Sequence, residues 1–156
     1  MPLESTGHQP AVAAAGSVQT LVAGVTLHRL PQFRDLRGLL TVGETGVQIP
    51  FDVHRFFLVS GVDGAEIRGG HAHRKLQQLL VCVHGSCEVI ADDGAHRQSF
   101  LLDDPSLAVL LPPWVWGIQH RFTNDAVLLV LASEKYDSAD YIRDYDEFLN
   151  LVKAPH

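Results

Sequence analysis

The sequence predicts an all-β sandwich or barrel that ends in one C-terminal helix. Three observations lead there. From about residue 21, short runs of branched and aromatic residues alternate with Gly, Pro, Asp and Asn turn signals, at the spacing of an all-β domain. Towards the end the period changes, and Ile142, Tyr145, Phe148, Leu149 and Val152 recur at helical spacing. At 156 residues, one domain is the economical reading, with enough chain to bury a core.

In chain order, residues 1–20 read as a flexible tail. They lack a basic n-region, and Ala-Val-Ala-Ala-Ala at 11–15 is too short and too weakly apolar for a signal-peptide core. The folded unit is expected over 21–156. Residues 22–27 and 39–42 are the first strands, separated by the polar segment 33–38. Residues 55–59 follow, dense in aromatic and branched side chains. Residues 79–83 and 87–91 are joined by His84-Gly85-Ser86, a hairpin signal, and Asp93-Gly94 marks the next hairpin, into 98–102. The strand at 108–111 stops at Pro112-Pro113, and 126–132 is apolar throughout, as a central strand should be. The closing helix is placed at 141–153, with Asp140 as N-cap and acidic residues in its first turns.

Composition narrows the function. Apolar residues at 46% and charged residues at 19% fit a soluble globular protein. A formal charge of −6 argues against nucleic acid as partner. Arginine nevertheless outnumbers lysine nine to three, and arginine is the better bidentate partner for phosphate. No apolar run reaches the roughly 18 residues of a membrane span. Cys82 and Cys87 sit among apolar neighbours and read as small buried hydrophobes in a reducing compartment. A cytoplasmic protein is expected.

The chemistry concentrates in Arg68-Gly69-Gly70-His71-Ala72-His73-Arg74. Histidines at i and i+2 of a strand share one face, so both imidazoles enter one cavity, and Gln77-Gln78 follow. A second segment, Gly117-Ile118-Gln119-His120 with Asn124, lies downstream. Imidazoles titrate near neutrality and suit proton transfer without a metal. A metal centre built on His71, His73 and His120 with Gln78 is the competing arrangement, weakened by a neutral amide in place of a carboxylate.

The two segments, HxH-x4-Q-x6-G and GxxHxxxN, resemble the paired motifs of the cupin superfamily, and the resemblance implies a single jelly-roll barrel. The order of residues goes further. Asp35-x-Arg37-Gly38, Arg55, Arg68-Gly69-x-His71-Ala72-His73, Pro113-x-Val115-Trp116 and Tyr136-Asp137-x-x-Asp140-Tyr141-Ile142-Arg143 resemble the nucleotide-sugar 3,4-ketoisomerases, the WxcM-like cupins that act on dTDP-4-keto-6-deoxyglucose. The likeness runs over residues 30–149. It implies an isomerase needing no cofactor and no metal, which moves a keto group from C4 to C3, and it implies a homodimer, which would also cover sheet edges. By the same resemblance His73 is the proton shuttle with His71 beside it, the two roles being exchangeable. Arg37, Arg55 and Arg68 are expected on the diphosphate or sugar, and Gln78, Trp116 and His120 around the hexose. Tyr141 and Arg143 are left out of the site, as residues that dock the helix. Two positions depart from the family: Phe57 stands where a tyrosine is usual, and Gly117 where histidine is frequent.

Overall fold

The computed structural model describes residues 16–153. Two antiparallel sheets face each other. In the first, β1 (Gly16–Gln19), β2 (Thr26–Arg29), β10 (Leu107–Leu111), β7 (Gln78–His84), β12 (Val127–Ala132) and β5 (Arg55–Ser60) lie in that spatial order. In the second the order is β13 (Tyr141–Ile142), β6 (Arg68–His73), β11 (Trp116–His120), β8 (Cys87–Asp92) and β9 (Arg97–Leu102). A separate hairpin, β3 (Gln32–Asp35) and β4 (Gly38–Thr41), stands apart from both. Among the described residues no ladder joins the two sheets edge to edge, so the barrel is a pair of opposed sheets rather than one closed ladder.

Alternation along each strand builds the core. Leu27, Leu80, Cys82, Val109, Leu128 and Val130 of the first sheet meet Cys87, Val89, Ala91, Phe100 and Leu102 of the second, nearly all fully buried. Each fully buried side chain of this size contributes roughly 1.5–3 kcal/mol through the apolar area it removes from water. Cys82 and Cys87 are free thiols in this core. The outer face of the second sheet carries Ala72, Trp116 and Ile142, covered by Phe148 of the helix α1 (Tyr145–Lys153).

Several boundaries differ from the sequence expectation. The predicted tail over 1–20 is too long: Gly16–Gln19 pairs with β2, and the rest of that reading lies outside the described residues. The strand expected at 22–27 begins only at Thr26, as β2, because Val22 and Val25 are buried from a turn held by Thr20 Oγ1 on the Val25 carbonyl (2.8 Å). His84-Gly85-Ser86 does turn the chain, but β7 and β8 enter different sheets, so the turn is a corner and not a hairpin.

The helix starts at residue 145 and not at 141. Tyr141 and Ile142 pair with His73 and Ala72, and that pairing takes their backbone out of reach of the helix. Asp144 serves as its cap, accepting from the Glu147 N–H at 2.8 Å. Asp140, expected as the cap, ends a short 3-10 turn (Ser138–Asp140) and is buried.

Candidate active site

The local geometry of β6 follows from its glycines. Gly69 and Gly70 have φ of +80° and +75°, a region that side chains with a Cβ rarely enter. Between them and β11 the register slips, Gly117 pairing with His71 and Ile118 with Gly69, so the strand bulges just before the histidines. A Cβ at Gly69 would meet Gln119 Oε1 and the Gly117 carbonyl, each at 2.9 Å. The partner of His71 being Gly117, no side chain competes with the imidazole for the space across the ladder.

After the bulge, strand parity decides which side chains meet. His71 and His73 face inward, while Ala72 between them packs under the helix. The two imidazoles meet edge to face with centroids 4.8 Å apart. With Leu76, Gln78, Leu111, Val115, Gly117 and Gln119 they line a narrow pocket between the sheets.

His73 is 5% exposed, and its Nδ1 lies 3.0 Å from Asp140 Oδ2. The Asp140 carboxylate also accepts the backbone N–H of Lys75 (2.7 Å) and of Leu76 (3.3 Å). A carboxylate only accepts, so it draws the ring proton to Nδ1 and leaves the lone pair on Nε2. That Nε2 is buried and has no partner. It is a proton acceptor that faces the pocket.

Burial depresses the His73 pKa, with the cations of Arg55 and Arg143 adding to the fall, against the opposing pull of Asp140. For His71 the shift is larger, to about 4, first through burial and then through His73 and Arg143. Both rings are therefore neutral at physiological pH, the state a base requires.

Around this pair stand aromatic and cationic groups. The Tyr141 ring lies 4.4 Å from His73 and 4.8 Å from His71. The Arg143 guanidinium sits over that ring at 4.1 Å. Arg55 occupies the inward face of β5, level with Ala132 and Gln78 across the sheet. Its guanidinium lies over Phe57 and Tyr136, at 5.4 and 5.5 Å, and its Nε is buried without an acceptor. A buried donor left unsatisfied costs about 1–3 kcal/mol, a cost that an anionic ligand oxygen would remove.

The fold thus brings together His71, His73, Gln78 and Arg55 of the residues singled out from sequence. Arg68 lies at the exposed start of β6, in register with the inward-facing Gln119, on the rim. Arg37 lies far out on the β3–β4 hairpin, its side chain 90% exposed and bonded to Asp35.

Two expectations are corrected. His120 pairs with Glu88 on the outer face of the second sheet, opposite to the pocket, with Nε2 3.3 Å from Glu88 Oε2 but outside hydrogen-bonding geometry. Trp116 shares that outer face and packs against Tyr145 and Phe148, at 5.2 and 5.6 Å, as core beneath the helix. The cause in both cases is parity: in β11 the residues at 117 and 119 face in, and those at 116, 118 and 120 face out. The competing metal set fails on the same point, since His71, His73 and His120 do not converge.

Four residues of the site escaped the sequence reading: Asp140, Tyr141, Arg143 and Gln119. The first three belong to a segment whose acid and aromatic residues looked like a helix start. The signal present but unread was Tyr-Ile between two polar stretches, a two-residue strand.

The fold and the site have known counterparts. Residues 23–153 match the family model described as FdtA: WxcM-like, C-terminal. The chain is 47% identical over 118 residues to a TDP-4-oxo-6-deoxy-alpha-D-glucose-3,4-oxoisomerase of Aneurinibacillus thermoaerophilus, covering 76% of this chain and 85% of that one. It is similar to the crystal structure of a mutant 3,4-ketoisomerase from Thermoanaerobacterium thermosaccharolyticum in complex with TDP-4-keto-6-deoxyglucose. There the TM-score is 0.83 and the identity 38%, over 85% of this chain and 96% of that one. A TDP-quinovose 3,4-ketoisomerase from Campylobacter jejuni superimposes with a TM-score of 0.80 at 36% identity, over 83% and 99% of the two chains. The chain belongs to the FdtA family, WxcM-like, C-terminal.

Proposed function

We propose that this chain is a sugar 3,4-ketoisomerase that moves the keto group of a TDP-linked 4-keto-6-deoxyhexose from C4 to C3. A ketone at C4 acidifies the hydrogen on C3. A neutral imidazole takes that proton, an enediolate forms across C3 and C4, and a proton delivered to C4 leaves the ketone at C3. One base close to both carbons serves both halves. The observation that carries this reading is the buried, unpartnered Nε2 of His73, backed through Nδ1 by Asp140.

His71 narrows the pocket and orients the ring of His73. Gln78, and Gln119 beside it, offer amides to the hexose hydroxyls or to the enediolate oxygens. Arg55, with its free Nε, takes the diphosphate or a sugar oxygen, and Arg68 on the rim adds a second cation. The reaction is placed in the cytoplasm, in keeping with two free, buried thiols.

The active species is a homodimer. The hairpin exposes Phe33, Leu36 and Leu40 on one side of the molecule. The edge strand β5 exposes Phe56 and Leu58 on the outer face of the first sheet, next to an apolar groove of about 480 Å3. Such a surface is costly in water and suits a second copy. It also gives Arg37 a role, carried by the hairpin towards the partner's site.

The test is incubation with dTDP-4-keto-6-deoxyglucose in deuterated water, followed by NMR. Isomerisation moves the carbonyl to C3 and brings deuterium into the C3–C4 unit, and His73→Asn abolishes both. Deuterium at C3 and C5 with the carbonyl still at C4 would mean an epimerase instead.

No helix among the described residues is long and apolar enough to cross a membrane.

A further inference from the structure

We propose that Tyr141 is a second catalytic residue of this site, the acid that works against the base His73. The inference rests on the isomerase reading above. As His73 Nε2 takes the proton from C3, the electrons of that C–H bond form the C3–C4 double bond. The carbonyl π pair moves to O4, which takes the phenolic proton of Tyr141. In the second half the Tyr141 phenolate takes the proton from the C3 hydroxyl, the ketone forms at C3, and the double-bond electrons collect the proton held by His73 onto C4. Substrate and product differ only in the carbonyl position, and both side chains return to their starting state.

The placement comes from the β13–β6 ladder, in which Tyr141 is the direct partner of His73. Paired residues of an antiparallel ladder send their side chains to the same face, and the ring accordingly stands against both imidazoles, 4.4 Å from one and 4.8 Å from the other. Its hydroxyl makes no hydrogen bond among the described residues. The hydroxyl of Tyr145, by contrast, is committed to Asp92. Tyr136 stands one ring further out, 5.7 Å from Tyr141, and Phe57, inward on β5 beside Arg55, has no hydroxyl to offer.

Chemistry asks for such a group. Burial keeps both imidazoles neutral, so neither brings a proton of its own to O4 while His73 acts as base. The guanidinium of Arg143, 4.1 Å over the Tyr141 ring, holds the ring in place.

Tyr141→Phe removes one oxygen and no packing. In the same NMR assay its kcat falls by about a hundredfold or more, KM for the keto-sugar stays within roughly threefold of wild type, and deuterium wash-in at C3 falls in step with kcat. Site-specific 3-fluorotyrosine at 141, nearly isosteric and with a more acidic phenol, moves the alkaline limb of kcat to lower pH, which a packing role would not do. A Tyr141→Phe enzyme with more than half the wild-type kcat, or a fluorotyrosine enzyme with an unmoved alkaline limb, overturns the inference while leaving the isomerase standing. Failure of the wild-type chain to isomerise the sugar sinks both. Should the phenylalanine variant lose thermal stability, the fluorotyrosine profile alone decides.

Discussion

Asp140→Asn probes the base directly. In the folded protein one carboxylate serves three donors: the Lys75 N–H on Oδ1, and the Leu76 N–H together with His73 Nδ1 on Oδ2. An asparagine side chain has one acceptor end and one donor end. The shorter bond, 2.7 Å to Lys75, keeps the amide oxygen, so the NH2 group turns towards Leu76 and His73. The Leu76 N–H then faces a donor and loses its bond, which costs about 1–3 kcal/mol. For a chain of this size that is a fall of roughly 2–12 °C in Tm. His73 meets a donor as well, and its proton moves to Nε2, which removes the lone pair from the reacting end. The lost carboxylate had also raised the His73 pKa, so whatever base remains is weaker. We expect kcat to drop at least about a hundredfold, with TDP affinity little changed. The assay is carbonyl migration and C3 deuterium exchange followed by NMR, with Tm measured beside it. A variant that keeps more than a tenth of wild-type kcat would show that Asp140 does not set the state of His73, and an unchanged Tm would show that its backbone bonds are not limiting.

Further expectations follow from the same geometry. The acid limb of kcat/KM should lie below pH 6.5, because burial depresses both histidines and the base is neutral above its own pKa; a limb above 7 contradicts the burial argument. Stability should fall with the same acidification. As pH drops from 6.5 towards 4 the unfolded chain takes up a proton on His71 that the folded one refuses, a loss of up to about 3 kcal/mol that denaturant titration at several pH values would read. Gly69→Ala should destabilise by about 1–2 kcal/mol or more, since φ is +80° and the new Cβ lies 2.9 Å from the Gly117 carbonyl. Its turnover should fall too, because the bulge aims His71. Leu36→Asp on the hairpin should shift the protein towards monomer in sedimentation; a wild-type sedimentation coefficient would place the interface elsewhere.

Much of this protein is legible in the order of its residues. Alternation and turn chemistry gave the all-β class. The His71-x-His73 spacing gave two imidazoles on one face, because strand periodicity is a property of the backbone and needs no knowledge of partners. It could not decide parity for β11. Trp116 and His120 look as suited to a pocket as Gln119, and which set faces inward is fixed by the ladder with β8, where Gly117 pairs with Ala91 and Gln119 with Val89, both core residues. Nor could it place Asp140, Tyr141 and Arg143. Their local pattern is that of a helix start, and only the pairing of Tyr141 with His73, 68 positions earlier in the chain, turns the segment into a strand and brings its side chains to the imidazoles. Local preferences are written residue by residue, whereas a long-range ladder is chosen by what the rest of the chain leaves unpaired. Here that choice supplied the groups that make His73 a base.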